Sequence, residues 1–336
     1  MALFMDPPVG APPYLSQALR VVNKTGGSTQ PVDRAQLDTA NQFVQVSVNN
    51  NGQSNVSNAI VQWWACAFSA GMAKSLFLPS AGSTVGRQLP ADTVLVGVNH
   101  TFEDPNQWKP TTAEIDAAGL RDPANPAADI HACLFGNVFS PGVDGAQMTV
   151  QPPNFSDIAT NGHHAQRNMA LFYAPGQTIP PVPMNIWMHV GNADPKRARE
   201  FQLTITERGL GRQLEPLVAQ HLQRDARIEP VKGSLARGAI PGLAVRIGGE
   251  LRPILPAKTP LEDLRIEVAA RKPAPKLVLE PDGFAGIRLL AKLPKEGNVL
   301  RIFDVDQTLD GRSVGGARVL FLNVPDKVKR QPASVD

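Results

Sequence analysis

The 336-residue sequence is poor in cysteine, in charged residues and in long apolar runs. Its two cysteines, Cys66 and Cys133, do not form a disulfide framework or a CxxC metal pattern. Charged residues make up 19% of the chain, and the net charge is +3. This near balance gives no long-range attraction to nucleic acid or to an anionic membrane. No run approaches the roughly 18 apolar residues of a membrane span, so we expect no membrane insertion.

Aromatic residues are also scarce, at 6% of the chain with two tyrosines. No stripe of rings is available for stacking single-stranded nucleic acid, so we expect no nucleic-acid partner. The opening residues, MALFMDPPVGAPPYL, lack the basic and the continuous apolar segments of a signal peptide. We therefore predict cytoplasmic synthesis, with the protein held inside a particle or exported by a non-standard route.

Proline and glycine, in contrast, are frequent, with 31 and 28 residues, and hydrophobic residues reach 42%. This composition favours many strands joined by turns over a helical bundle. Residues 1–35 are rich in proline and glycine without periodicity, which predicts an extended N-terminal arm that docks on another surface, for example that of a neighbouring subunit. Residues 326–336 are polar and mixed in charge, which predicts a frayed tail.

Apolar alternation predicts five strands in a first unit, residues 36–175. In chain order their sequences are FVQVSVNNNG, NAIVQWWACAF, DTVLVGVNHTF, ADIHACLFGNVF and NMALFYA. An insertion at 103–129 contains Thr111 and Glu114, which form a capping box and predict one short helix. The proline-rich residues 174–185 predict a stiff linker to a second unit.

The second unit, residues 176–325, resumes the strand pattern after that linker. FQLTITERG, LAVRIGGEL, DLRIEVAA, KLVLEP and GIRLLAKL predict short strands, and LEPLVAQHLQRD predicts an amphipathic helix. The chain closes with a predicted hairpin around Asp310 and Gly311. The predicted fold class is all-β, with two tandem β-sandwich domains of immunoglobulin-like type and short helical insertions.

Residues 40–175 resemble a known domain type. HACLFGNVF is followed by HHAQRNM, and VSVNNNGQSNVSNAIVQWW precedes both. These motifs resemble the opening strands, the Cys-Leu strand and the Asn-rich turn of bacterial CARDB-type domains. The resemblance implies an immunoglobulin-like sandwich with a role in cell adhesion and no catalytic residues. His163 and His164 depart from the family, which has an Asn pair there, as does the insertion at 103–129.

The adjacent histidines His163 and His164 have two interpretations. Neighbouring side chains on an extended segment point in opposite directions, so the pair would rarely bind one ion. We therefore predict a structural turn formed by His163, His164, Arg167 and Asn168. The alternative is a zinc site, in which one of the histidines joins His131 and Cys133, two residues that share a face of one strand.

Other candidate residues favour structure over chemistry. Trp63 and Trp64 lie on one predicted strand, so one indole should fill the core and the other should meet a covering segment or an interface. Cys66 and Cys133 both lie on predicted strands and could pair as a disulfide, although two reduced thiols are the expected state without secretion. Asp304, Asp306 and Asp310 only partly match a calcium loop and are predicted to be hairpin residues.

No nucleophile, phosphate-binding or metal motif converges in the sequence, so we predict no catalytic, cofactor-binding or metal residues and no cofactor. The predicted function is a structural or interaction protein, a subunit or accessory component of a large bacterial or phage-like assembly such as a tail, tube, sheath or shell. Its arm and its sheet edges would contact protein partners, including copies of itself. A surface adhesion or glycan-binding module is the first alternative, and a metal-dependent enzyme is the second.

Overall fold

We analysed a computed structural model of the chain. It describes residues 3–5, 12–25, 28–32, 42–73, 76–77, 87–106, 121–123, 132–141, 155–175, 184–209, 215–223, 228–232, 237–240, 242–247, 249–256, 264–266, 276–291 and 298–324. Over these residues the protein is all-β, with 22 strands, a single α-helix and a short 3-10 helix at Phe155–Asp157. The predicted all-β class is therefore confirmed.

The first sheet is antiparallel and contains the best alternating segment of the sequence. Its strands, numbered in chain order, are β1 (Leu3–Phe4), β2 (Leu19–Thr25), β3 (Ser28–Val32), β4 (Gln42–Asn50) and β8 (His100–Glu103). β4 pairs with β1, β2 and β8, and β2 also pairs with β3. Val44, Val46 and Val48 are fully buried, because alternate residues of a strand share one face.

The second sheet packs face to face on the first. Its strands are β5 (Val56–Ala67), β6 (Arg87–Gln88), β7 (Asp92–Val94), β9 (Ala132–Phe139) and β10 (His164–Arg167). β5 pairs with β6, β7 and β9, and β9 also pairs with β10, all antiparallel. A side chain at Gly136 on β9 would collide with Leu19 and Met5 of the first sheet. That glycine therefore permits the close approach of the two sheets.

The C-terminal part of the chain forms three more sheets. The largest contains β11 (Met169–Pro175), β13 (Arg199–Glu207), β17 (Leu255–Pro256), β19 (Lys276–Leu279), β21 (Val299–Leu309) and β22 (Arg312–Val324). The second contains β12 (Met184–Gly191), β18 (Leu264–Ile266) and β20 (Phe284–Ala291), and the third contains β14 (Ile228–Pro230), β15 (Leu243–Ile247) and β16 (Glu250–Pro253). The single described α-helix, α1, spans Pro216–Gln223 and buries Leu217, Val218 and Leu222.

The predicted closing hairpin is confirmed as β21 and β22. Asp310 and Gly311 both have positive φ, 51° and 76°, as a two-residue type I′ turn requires. The strands continue past a register shift between Gln307 and Thr308. This bulge sets which charged side chains face each other further along the hairpin.

Three sequence-based expectations are corrected by the strand pairing. Within residues 1–35 the described parts are not an arm on another subunit, because β1 and β2 pair with β4 and bury Leu3 and Leu19 in this chain's own core. The third predicted strand is two short strands in different sheets, β7 and β8. β11 was assigned to the first unit, but it pairs in parallel with β22. The predicted helix at 111–119, most of the linker at 174–185 and the tail at 326–336 lie outside the described residues.

Candidate functional site

Three exposed aliphatic side chains occupy one turn between β7 and β8. Leu95, Val96 and Val98 are 46%, 40% and 49% exposed. Only six large hydrophobic residues in the described part of the chain are exposed to such a degree, and half of them lie here. We call Leu95–Val98 the apolar turn. Such a concentration of exposed apolar surface marks an interaction site more often than scattered single residues do.

The apolar turn is held rigidly by its own backbone and by two asparagines. The Val98 amide donates to the Leu95 carbonyl at 3.3 Å, and Gly97 has a φ of 70°, the geometry of a type II turn. The Gly97 amide donates to the Asn50 carbonyl at 2.9 Å, and the Val96 amide donates to Asn55 Oδ1 at 3.1 Å. The amides of Val96, Gly97 and Val98 are therefore satisfied, and these bonds set the shape of the turn before any partner arrives.

The turn lies beside the β4–β5 connection, in a region without charge. Residues 39–73 contain no Asp, Glu, Lys, Arg or His. The Asn50 amide ties this connection to the turn by donating to the carbonyls of Ser54 and Val94, at 3.0 and 3.1 Å. Asp92 and His100, the titratable residues that flank the turn in sequence, contact each other at 3.0 Å. The resulting surface is aliphatic at its centre and amide-rich around it.

The sequence did not identify this turn. It was included in the third predicted strand, because DTVLVGVNHTF shows continuous apolar character. The available signal was Gly97 within that run, since an isolated glycine in a strand pattern suggests a break.

His163 ends a turn that leads into β10, so His164 and Arg167, which were predicted as turn residues, lie on a strand. His163 Nδ1 lies 2.8 Å from the Val138 carbonyl oxygen, and the His163 amide donates to Asn161 Oδ1 at 3.1 Å. His164 begins β10, and its Nδ1 lies 2.5 Å from Asp157 Oδ1. Burial alone would raise the pKa of Asp157, but hydrogen bonds from His164 and Asn161 lower it. The two imidazoles thus have different partners.

The alternative zinc site involves His131, which lies outside the described residues. Within the described ranges, no group of three or more His, Cys, Asp or Glu side chains is arranged to hold a metal ion. No helix among the described residues is long and apolar enough to cross a membrane.

Asn168 joins the first unit to the C-terminal sheet. Its side-chain amide donates to the carbonyls of Ser69 at 2.5 Å and Gly316 at 2.7 Å, and its Oδ1 accepts from Cys133 Sγ at 2.8 Å. Its main chain bonds Tyr14 and Arg318, and its side chain is fully buried. Arg167, the other predicted turn residue, forms a β-bridge with Leu15. Asn168 is therefore a structural junction residue and not only a turn residue.

We use the term seam for the buried contacts of Tyr14, Ser69, Asn168, His189 and Gly316. Ser69 bridges to His189 of β12, and the ring of Tyr14 lies against Gly316, where a side chain would collide with it. The residues come from five separate parts of the chain. Their hydrogen bonds are buried and specific, so the seam is expected to be rigid.

Both tryptophans of β5 are covered within this chain. Trp63 is 1% exposed and donates from Nε1 to Asp104 Oδ2 at 2.9 Å, on the side of the first sheet. Trp64 is 3% exposed, points to the other side and packs edge-on against Phe155, with ring centroids 5.5 Å apart. The two indoles are thus core residues on opposite faces of β5, and neither forms an exposed patch.

Cys66 and Cys133 are directly opposite each other on β5 and β9, and both are free, buried thiols. The Cys66 thiol donates to the Ala67 carbonyl at 3.0 Å, while Cys133 donates to Asn168. Burial raises the pKa of Cys66, and the neighbouring Cys133 raises it further. A thiol held neutral in this way is a poor nucleophile.

The acidic residues of the closing hairpin form a charge cluster. Arg318 is fully buried and binds Asp304 through two bonds, Nε to Oδ1 at 2.7 Å and Nη2 to Oδ2 at 3.0 Å. Glu215 also pairs with Arg318, and Arg208 binds Asp304 at 2.5 Å. Burial alone would lower the pKa of Arg318, but the two carboxylates raise it. Asp310 is exposed at the turn, so the three aspartates do not converge as calcium ligands would.

Burial and the nearby Asp304 and Asp306 raise the pKa of the Tyr14 phenol far above its ordinary value. The phenol therefore stays neutral at physiological pH. Titratable groups with perturbed pKa values can mark an active site. Here the raised pKa of Tyr14 has a structural cause. The two nearest influences are burial and Asp304, and Asp304 is present as a partner of the buried cation Arg318.

Asp306 provides a test of this electrostatic environment. Burial raises its pKa, Asp304 raises it further, and a hydrogen bond from Ser313 at 2.6 Å partly opposes the rise. A carboxyl group whose pKa is raised by folding stabilises the fold fully below its ordinary pKa, and this contribution is lost as the pH rises through the folded-state pKa. We expect Asp306→Asn to be more stable than wild type at pH 7, with the difference disappearing near pH 3.

Urea unfolding of Asp306→Asn between pH 3 and pH 8 measures this difference. Asp310→Asn, at the exposed turn of the same hairpin, is the matched control. A stability gain that is the same at every pH would contradict the electrostatic explanation.

Comparison with known proteins finds little similarity. No family model matches the sequence, and no curated protein matches it. Among solved structures, the CupB6 tip adhesin from Pseudomonas aeruginosa aligns with 10% identity over 98% of this chain and 99% of that chain, with a TM-score of 0.21. CBD12 from CALX1.2 aligns with 10% identity over 81% and 76%, with a TM-score of 0.15. CfaE, the adhesive subunit of the CFA/I fimbria of enterotoxigenic Escherichia coli, aligns with 6% identity over 96% and 92%, with a TM-score of 0.19.

These TM-scores are too low to establish a shared fold, and the proposals below rest on the residues of this chain alone.

Proposed function

We propose that this chain is a non-catalytic interaction protein, a subunit or accessory component of a large bacterial or phage-like assembly, and that the apolar turn is its contact surface. The observation that carries the proposal is the exposure of Leu95, Val96 and Val98 on a rigid turn. Exposing three neighbouring aliphatic side chains to water is unfavourable, and burial against a partner removes that cost.

The remaining clusters support binding over catalysis. The cations of the hairpin cluster are paired with carboxylates, and the two thiols are buried. Asn168 uses both ends of its amide in structural bonds. Each of these groups already has a structural role, so none needs a substrate to explain its position.

The proposed assembly does not use an N-terminal arm exchanged between subunits, because β1 and β2 pair with β4 in this chain's own sheet. The apolar turn leads directly into β8, which among the described residues pairs with β4 alone. A partner bound at the turn would therefore also be close to a sheet edge, where added strands can pair.

The immunoglobulin-like nature of the two units, and the CARDB-type assignment of residues 40–175, are also part of this proposal. They are supported by the face-to-face packing of the first two sheets and by Trp63 in the core between them. Localisation within a particle, after synthesis in the cytoplasm, follows from the same proposal. Adhesion and glycan binding remain the alternative class.

The proposal is tested by sedimenting a native lysate and probing for this chain. We expect the wild-type chain in the fast fraction with regular particles visible by negative-stain electron microscopy. The triple variant Leu95→Ser, Val96→Ser, Val98→Ser should remain folded, because these side chains are exposed, but should sediment as the free chain.

Val278→Ser is the control for this experiment, because Val278 is 66% exposed and lies on β19 of another sheet. It should sediment like the wild type. A wild-type chain found only in the slow fraction would refute the assembly proposal and would favour the adhesion alternative.

A further inference from the structure

We propose that the partner of the apolar turn is the same turn on a second copy of this chain, in a two-fold symmetric contact. This inference rests on the proposed function and names its partner. In a two-fold contact one patch meets an identical patch, so the surface must be complementary to itself. The apolar turn meets this requirement in its hydrogen bonding, in its charge and in its rigidity.

Three backbone amides of the turn have acceptors within this chain before any contact forms. The amides of Val96, Gly97 and Val98 donate to Asn55 Oδ1, the Asn50 carbonyl and the Leu95 carbonyl. An amide that loses water on docking and finds no other acceptor weakens the contact. The amides of Val96, Gly97 and Val98 already have acceptors, so these three groups can be buried against apolar side chains without this penalty.

Charge is the second requirement. A two-fold contact brings like charges together near the axis, which is unfavourable for any patch of one sign. Residues 39–73 carry no charged side chain, and the nearby Asp92 is paired with His100 at 3.0 Å. Two copies that meet through residues 39–73 therefore bring no like charges together in that segment.

A lipid surface fits these residues less well than a second copy. Loops and helices that insert into membranes combine apolar side chains with Lys or Arg and with interfacial Trp or Tyr. Residues 92–103 contain none of these four residue types. The turn thus has apolar anchors but lacks the groups that hold a protein at a headgroup layer.

The contact is expected to be weak in dilute solution. Three aliphatic side chains form only the centre of an interface, whereas a stable complex buries about 800 Å² on each partner. The exposed polar residues around the turn supply the rim: Asn51, Gln53, Ser54, Asn55, Ser57 and Asn99. We therefore expect a reversible dimer whose population rises with concentration.

The decisive experiment uses Val96→Cys in the full-length chain. The two natural cysteines are buried, so the new thiol is the reactive one. Near a two-fold axis it lies close to its own copy, and mild oxidation by oxidised glutathione links the two thiols as a disulfide while glutathione is reduced. We expect Val96→Cys to form covalent dimers about tenfold or more faster than Val278→Cys, because docking raises the effective thiol concentration.

Analytical ultracentrifugation over a concentration series gives an independent measurement. The wild type should show a concentration-dependent dimer that the Leu95→Ser, Val96→Ser, Val98→Ser variant lacks. A monomeric wild type, together with equal cross-linking of Val96→Cys and Val278→Cys, would overturn the self-association inference.

The outcomes also separate this inference from the proposed function. If the purified chain is monomeric but the triple variant is lost from the fast lysate fraction, the turn binds another component, so the function stands and self-association is wrong. If the monomer instead pellets with phosphatidylcholine vesicles and the triple variant does not, the turn is a lipid anchor and self-association is again refuted.

Discussion

Replacing Asp304 with alanine should lower the free energy of unfolding by about 3–5 kcal/mol, the usual cost of removing one partner from a buried ion pair. Arg318 is fully buried, and Asp304 accepts two of its hydrogen bonds. Glu215 remains as a partner but is partly exposed and contacts only one of the guanidinium nitrogens. The variant would therefore bury a guanidinium that is incompletely neutralised. Urea unfolding followed by circular dichroism measures the loss.

Two controls distinguish buried charge from the mere loss of a contact. Glu229 holds Arg246 with the same two-bond geometry, at 2.6 and 2.7 Å, but on the exposed surface, so Glu229→Ala should have a much smaller effect. The double variant Asp304→Leu, Arg318→Met should recover most of the stability, because apolar residues can replace a buried pair. Equal effects of Asp304→Ala and Glu229→Ala would contradict the prediction.

This pair also shows a limit of sequence-based prediction. Asp310 and Gly311 predicted the hairpin, and a regular two-residue turn would place Asp304 opposite Ala317. The register shift between Gln307 and Thr308 moves Asp304 opposite Arg318 instead. A shift of one residue in the register changes which side chains of the two strands face each other. The charge cluster therefore depends on the bulge, which the alternation of apolar and polar residues does not predict.

The partner of a strand was harder to predict than the strand itself. Alternating residues identified β4 and β13 because a half-buried strand has a period of two, which is a local property. The pairing of β11 with β22 joins residues about 150 positions apart, and nothing in NMALFYA specifies it. Likewise, Pro- and Gly-rich character suggested an arm at residues 1–35, although Leu3, Tyr14 and Leu19 are core residues.

The candidate site was missed for the same reason. The aliphatic residues of the apolar turn look like strand residues in sequence, since exposure depends on the path of the backbone around Gly97. Asn50 and Asn55 fix that path from a different connection. The turn before β10 carries more of its signal in the local sequence. His163 bonds Asn161 and His164 bonds Asp157, so the bonded residues are close together along the chain.

Lowering the pH should reduce the free energy of unfolding, and a defined part of this loss should come from His189 in the seam. Burial lowers the pKa of His189 to about 4 from its ordinary 6.5, although a hydrogen bond to the Phe68 carbonyl opposes this shift. A histidine with a lowered folded-state pKa contributes stability above its ordinary pKa, and the contribution is lost as the pH falls from 6.5 towards 4. The shift corresponds to about 3 kcal/mol over this range.

His189→Phe is the variant that isolates this contribution. The ring of His189 packs edge-on between Trp187 and Phe284, so an aromatic replacement suits the site, and the Phe68 carbonyl still accepts the His189 backbone amide at 2.8 Å. We expect the stability difference between wild type and His189→Phe to change by about 3 kcal/mol between pH 7 and pH 4, in the direction that favours the variant in acid. Parallel pH profiles for wild type and His189→Phe would mean that His189 can take up a proton without opening the seam.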